Sequence, residues 1–161
     1  MLTSFEFCSY LVCLMIPLVI GARSFRRFDR GLRMIWLWMT VTLVSELAAG
    51  LVGLFLRNNL WIYHLYTPVS FWLITLYYNE RLPFFRKYRL AHLVGMMGIL
   101  AELMDTFRFH AYDRMDTYAI LITSVLGLGM VLLDIGRGFL DERGAMMRDP
   151  GFRISLLLGF F

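Results

Sequence analysis

The sequence predicts an all-α protein, a polytopic bundle of transmembrane helices with five full spans and an incomplete sixth span at the C-terminus. Of the 161 residues, 59% are hydrophobic and 17% are charged. The mean hydropathy is +0.63, and this composition is far from that of an ordinary soluble domain. The apolar residues also fall into long runs, and basic residues fill every second connection between them.

The apolar runs predict one transmembrane domain over residues 1–161. Five runs are long enough to be spans, and they lie at about 4–22, 34–56, 61–79, 90–106 and 117–133. A helix over 61–79 is roughly 28 Å long, close to the ~30 Å hydrocarbon thickness of a bilayer. The last run, at 152–161, is too short to cross, so we expect an incomplete sixth span and a chain or assembly that continues beyond it.

The distribution of lysine and arginine predicts the orientation of the chain. The connections after the first, third and fifth predicted helices contain all of the 16 basic residues except Arg57, Arg108 and Arg114. Cytoplasmic loops of membrane proteins carry the excess of lysine and arginine. We therefore expect a multi-pass protein with its N-terminus outside and the three basic connections inside.

The basic connections also contain aromatic residues, and they predict a surface that contacts anionic lipid headgroups. A cytoplasmic protein partner is an alternative that the sequence leaves open. Membrane topology accounts for the net charge of +4 and the pI of 9.3, so we expect no nucleic-acid partner. The residues expected to make the lipid or partner contacts are Arg23, Arg26, Arg27, Arg30, Arg86, Lys87 and Arg89.

Ionisable residues inside the predicted spans are the candidate functional groups, because a charge within a bilayer is costly. Glu46 shares a helix face with small residues such as Ala49 and Gly53, so we expect it to face the interior of the bundle. The fourth predicted helix repeats this arrangement. We predict a polar cavity, open to the outside, that binds a ligand or protons through Glu46, Tyr63, His64, Thr67, Glu102 and Asp105.

These candidates also have structural interpretations. Glu46 can serve helix packing when it is protonated or paired with Arg57 or His64. Glu102 and Asp105 lie nearer the membrane interface, so their structural interpretation is that they are solvated or face lipid headgroups. The alternative is that they line the predicted polar cavity. A metal site formed by Glu46, His64 and Glu102 lacks the spacing of a metal-binding motif. We predict neither a metal nor a cofactor.

The segment NNLWIYHLYTPVSFW runs from just before the third predicted helix into its first half. This segment resembles a motif of small polytopic bacterial membrane proteins, which has an Asn-Asn-Leu-aromatic start and a His-x-Tyr-Thr-Pro core. The resemblance implies a protein of the bacterial inner (plasma) membrane and no particular activity. Ser70 stands where such proteins are expected to carry an acidic residue. The positions that match are Asn58, Asn59, Leu60, Trp61, His64, Tyr66, Thr67 and Pro68.

Three functions are compatible with the sequence. It contains no P-loop, no dinucleotide fingerprint and no nucleophile elbow, so we expect that the protein is not an enzyme. Our leading hypothesis is a membrane-embedded sensor or ligand-binding module that acts with a signalling partner in trans. The alternatives are an accessory or structural subunit of a larger membrane complex, and a small proton- or cation-coupled transporter that uses Glu46 and His64. Each of these implies a membrane-protein partner or an oligomer.

Overall fold

The protein is all-helical in the computed structural model, which describes residues 4–55, 58–105, 107, 117–141 and 149–159. The predicted all-α class is confirmed, and no strand occurs within these ranges. A single 3₁₀ turn at Phe25–Arg27 follows the first helix. The α-helices are α1 (Ser4–Ser24), α2 (Arg30–Phe55), α3 (Leu60–Arg81), α4 (Pro83–Tyr88), α5 (Leu90–Met104), α6 (Thr117–Asp141) and α7 (Pro150–Gly159).

Three segments of the described chain are long and apolar enough to cross a membrane, namely Ser9–Arg27, Arg30–Phe55 and Tyr118–Arg137. The helix α5 is apolar but has 15 residues, which is about 22 Å. The 22 residues of α3 reach far enough, but its polar side chains lower its hydropathy. The structure therefore supports membrane-type helices without confirming five or six spans.

The helices α2 and α3 form an antiparallel hairpin that is joined by hydrogen bonds at regular intervals. The residues involved recur every three or four positions on each helix, which is the spacing of a single helix face. We call these contacts the α2–α3 ladder. They are Asn59 Nδ2 to Ala49 O at 2.9 Å, Tyr63 OH to Glu46 Oε2 at 3.2 Å, the hydroxyls of Thr42 and Tyr66 at 3.0 Å, and Trp38 Nε1 to Ser70 Oγ at 2.7 Å.

A second face of α3 packs against glycines of α5. A Cβ atom at Gly98 would overlap the ring of Phe71, and one at Gly95 would lie 2.5 Å from the ring of Trp72. Because glycine has no side chain, α5 can approach α3 closely enough for both rings to pack on its backbone. Ala91 lies on the same face of α5 and is also buried.

The main hydrophobic core lies where α3 meets α4, α5 and α6. The aromatic residues at the C-terminal end of α3 form its centre, and Phe85 of α4 packs into it. The adjacent Phe84 and Tyr88 of α4 are exposed. The buried members of the core are Phe71, Tyr77, Tyr78, Leu82, Phe85, Ala91, Met130 and Val131.

Several helix boundaries differ from the predicted ones because polar side chains cap or join the helices. The second predicted span begins earlier, at Arg30, and Asp29 Oδ1 accepts a hydrogen bond from Leu32 N at 2.8 Å. The fifth predicted span, expected to end at 133, continues as α6 to Asp141. The last helix, α7, has 10 residues, or about 15 Å. This length agrees with the predicted incomplete span, which lies at 152–161 in the sequence and begins two residues earlier in the structure.

We predict that Gly98→Leu lowers the free energy of unfolding by about 2–3 kcal/mol, because the new side chain must displace Phe71 from the α3–α5 interface. The measurement is reversible unfolding in mixed micelles with increasing sodium dodecyl sulfate. Gly129→Leu is the matched control, since a Cβ atom at Gly129 meets no atom within 4 Å. Equal stability of the two variants would contradict the close α3–α5 contact.

Candidate functional site

The structure places four of the six candidate residues in two pairs at neighbouring faces of α3. Tyr63 OH donates a hydrogen bond to Glu46 Oε2 of α2, whereas His64 Nδ1 lies 3.6 Å from Glu102 Oε1 of α5. Tyr63 and His64 are consecutive, so their side chains leave the helix about 100° apart. The sequence hypothesis of one shared cavity is therefore replaced by two separate pairs.

The pair formed by His64 and Glu102 is buried between α3 and α5. His64 is 7% exposed and Glu102 is 3% exposed. The expectation that Glu102 and Asp105 are solvated or face headgroups is wrong, because Asp105 is only 1% exposed. Asp105 Oδ2 accepts a hydrogen bond from Ala119 N at 2.9 Å. It thus satisfies a free backbone N–H in the first turn of α6.

Glu46 lies half-buried where α1, α2 and α3 approach one another. Its bonded partner is Tyr63, and Tyr10 of α1 and Tyr66 of α3 lie within the electrostatic range of this pair. Glu46 therefore faces the protein, as the small residues around it indicate, and it lies close to Tyr63 and within electrostatic range of Tyr10.

A metal ion has no evident site in the described ranges. They contain no group of three or more His, Cys, Asp or Glu side chains that could hold one. Glu46, His64 and Glu102 do not converge, because Glu46 belongs to the α2–α3 ladder and Glu102 lies on the α5 side of α3.

A cavity of about 420 Å³ lies along α3, between α2 and α6, and Leu158 of α7 also lines it. Among the candidate residues named from the sequence, Thr67 lines it, whereas the two carboxylate pairs and Asp105 do not. The lining residues in the described part of the chain are Trp38, Tyr66, Thr67, Ser70, Phe71, Ile74, Tyr78, Thr123, Ser124, Gly127, Leu128, Val131 and Leu158.

The polar groups on the cavity wall are neutral, and several are bonded within the protein. Thr67 Oγ1 donates to Tyr63 O at 2.9 Å, and Thr123 Oγ1 donates to Ala119 O at 2.8 Å. Ser70 Oγ accepts from Trp38 Nε1. A hydroxyl that donates to its own helix keeps lone pairs, and these can accept a hydrogen bond from a guest molecule.

Sequence reasoning missed the cavity because it followed ionisable residues. A usable signal was present in α6, where Thr123 and Ser124 interrupt an apolar segment and Gly127 follows one helical turn later. Hydroxyl residues of α3 stand one helical turn apart at Thr67 and Ser70. Which of these faces meet depends on helix pairing, and pairing cannot be read from either helix alone.

A second polar group, which sequence reasoning also missed, joins the C-terminal ends of α3 and α6 to α7. Arg81 lies 3.3 Å from Asp134 Oδ2 and 2.7 Å from Asp149 Oδ2. Ser155 Oγ donates to Asp134 Oδ2 at 2.6 Å, and Tyr77 OH donates to Gly151 O at 2.9 Å. We call these residues the Arg81 cluster.

The predicted lipid or partner surface is exposed at every position described. Arg23, Arg26, Arg27, Arg30, Arg86, Lys87 and Arg89 all have exposed side chains. Arg89 separates α4 from α5 and adopts a left-handed conformation with φ of 53°. This conformation turns the chain sharply between the two helices.

Comparison with known proteins identifies no relative of the chain. The chain matches no protein-family model, no curated protein and no solved structure. Function is therefore inferred from the chain's own residues.

We predict that Arg81→Met lowers the free energy of unfolding by about 3 kcal/mol, because it leaves the buried carboxylate of Asp134 without its cation. Adding Asp134→Asn should recover part of this loss, since a neutral amide needs no counter-charge. The free energies of unfolding of the single and the double variant are measured in mixed micelles. Arg86→Met, at an exposed position of α4, is the control and should change stability by less than about 0.5 kcal/mol. If the effects of Arg81→Met and Asp134→Asn on the free energy of unfolding are strictly additive, the two side chains do not interact.

Proposed function

We propose that the chain is a multi-pass membrane protein that binds a small molecule in the cavity along α3 and acts with a partner in trans. The observation that carries this proposal is the cavity of about 420 Å³. Its size falls within the ~300–1,000 Å³ range of pockets for small molecules. A site surrounded by four helices can change the packing of these helices when it fills, and this is what a membrane-embedded sensor requires.

The proposed topology has five spans and an incomplete sixth, α7, in the bacterial inner membrane, with the N-terminus outside. Support for a crossing α3 comes from its position, since its polar side chains contact α2 and α5 rather than lipid. The apolar α5 crosses beside it, and local thinning of the bilayer compensates for its shorter length. The exposed basic side chains then lie on the cytoplasmic side.

The exposed basic residues are the proposed output surface. They carry positive charge beside exposed Phe84 and Tyr88, which suits both anionic headgroups and a protein partner. Because α4 contributes Phe85 to the core next to Tyr78, and Tyr78 also lines the cavity, a change in the cavity wall can reach this surface through direct packing.

An accessory subunit of a larger complex is the second candidate. Cβ atoms at Gly129 and Gly136 of α6 would meet no described atom within 4 Å. These two glycines therefore pack against no described helix. A glycine surface on an apolar helix permits close approach by a helix of another subunit.

A proton-coupled transporter is the third candidate, and the buried pair formed by His64 and Glu102 favours it. Reconstituted vesicles with a trapped pH-sensitive dye test this candidate. Under our proposal we expect no proton flux above that of empty vesicles. Flux that is lost in Glu102→Gln and kept in Glu46→Gln would favour the transporter instead.

The binding proposal is tested by filling the cavity. Gly127 lines it, and a Cβ atom there meets nothing within 4 Å, so Gly127→Leu occupies the space without a backbone clash. We expect native mass spectrometry of the purified protein to show a small-molecule adduct on the wild type that is absent from Gly127→Leu. Gly129→Leu adds the same side chain outside the cavity lining and should retain the adduct. Identical adduct patterns for the two variants would contradict binding at this cavity.

A further inference from the structure

The cavity lining is more polar toward one end than toward the other, and α3 and α6, which both line it, run in the same direction. The beginnings of both helices contact the end of α5, through His64 with Glu102 and through Ala119 with Asp105. Their C-terminal ends meet where Arg81 contacts Asp134. Residues at corresponding positions of the two helices therefore lie at similar depths in the bundle.

Most of the hydroxyl residues of the lining lie in the first halves of these two helices. Counted back from the contact of Arg81 with Asp134, Ser70 of α3 corresponds in depth to Thr123 of α6, and Thr67 lies about one turn earlier. Farther along, the wall is formed largely by apolar side chains, and Tyr78 is the polar lining residue there. The apolar residues are Phe71, Ile74, Leu128, Val131 and Leu158. The lining extends from Tyr66 to Tyr78 along α3, which is about 18 Å at the helical rise.

The lining favours a neutral occupant. None of its described residues is Asp, Glu, His, Lys or Arg, so a charged guest would have no counter-charge at the wall. The cavity also reaches the outside of the bundle, because Leu128 lines it and is 50% exposed. Both α2 and α6 are long and apolar enough to cross a membrane. The opening between them therefore faces the hydrocarbon region.

We propose that the cavity binds a neutral, elongated amphiphile that is dissolved in the membrane. Its hydroxyl or carbonyl group lies between Thr67, Ser70 and Ser124, and its hydrocarbon chain extends past Ile74 toward Leu158. A volume of about 420 Å³ holds one such chain. This inference rests on the proposed ligand-binding function and specifies its ligand class and the direction in which the ligand lies.

Photolabelling of the wild-type protein in zwitterionic nanodiscs tests the ligand class. The probe is a long-chain alcohol with a diazirine in its chain. We expect saturable labelling at the apolar end of the cavity, on peptides that contain Ile74 or Val131. An unlabelled alcohol of the same length should compete at least about 10-fold better than the matching carboxylate, quaternary ammonium or alkane, which corresponds to about 1.4 kcal/mol.

Two substitutions test the polar end. Thr67→Val and Ser124→Ala each remove a hydroxyl from the lining, and each should weaken competition by the alcohol about 2- to 10-fold, the range of one hydrogen bond. Competition by the alkane should stay unchanged. The matched control is Thr40→Val, because Thr40 Oγ1 donates to Trp36 O at 2.9 Å and does not line the cavity.

The outcomes separate the two proposals. Labelling that does not saturate, or that persists unchanged in Gly127→Leu, overturns both the amphiphile and ligand binding at this cavity. Labelling that saturates and is lost in Gly127→Leu, but is competed equally well by the charged chains, overturns only the neutral amphiphile. If the alcohol and the alkane compete equally well in the wild type, the proposed placement of the ligand's polar group between Thr67, Ser70 and Ser124 is wrong. These wild-type competitions decide the ligand class even when a substituted protein fails to fold.

Discussion

The α2–α3 ladder is the constraint on which the rest of the arrangement depends. Within a bilayer, burial of apolar side chains between helices gains little, because lipid tails are as apolar as leucine. Directional contacts such as Tyr63 with Glu46 and Trp38 with Ser70 therefore set the register and rotation of the hairpin. Once the rotation of α3 is fixed, every other face of that helix has a defined neighbour.

The rotation of α3 determines what each of its remaining faces contacts. His64, Phe71 and Trp72 turn toward α5, where two glycines accept the rings. Thr67 and Ile74 turn toward the gap between α2 and α6 and line the cavity. Leu65 is 63% exposed and stays on the outside of the bundle. One helix thus supplies the scaffold, a buried ionisable pair and the wall of the proposed binding site.

The sequence predicts the parts of this structure that depend on single helices. The all-α class, the apolar segments and the buried glycine face of α5 follow from local composition and helical periodicity. The placement of Glu46 and His64 in separate pairs does not follow from local composition, because it depends on which helices pair and how they are rotated. The link between Arg81 and Asp134 joins residues 53 positions apart. No local pattern marks two such residues as partners, so the buried position of Asp134 in α6 does not follow from the sequence.

The Arg81 cluster has a consequence for biogenesis. The helix α7 has 10 residues, and its contacts within this cluster are to residues that the ribosome synthesises much earlier, such as Tyr77, which bonds to Gly151 across 74 positions. Gly151 leaves room for the guanidinium, since a Cβ atom there would lie 2.5 Å from it. Docking of α7 through these contacts therefore follows the synthesis of α3 and α6, on whose residues it depends.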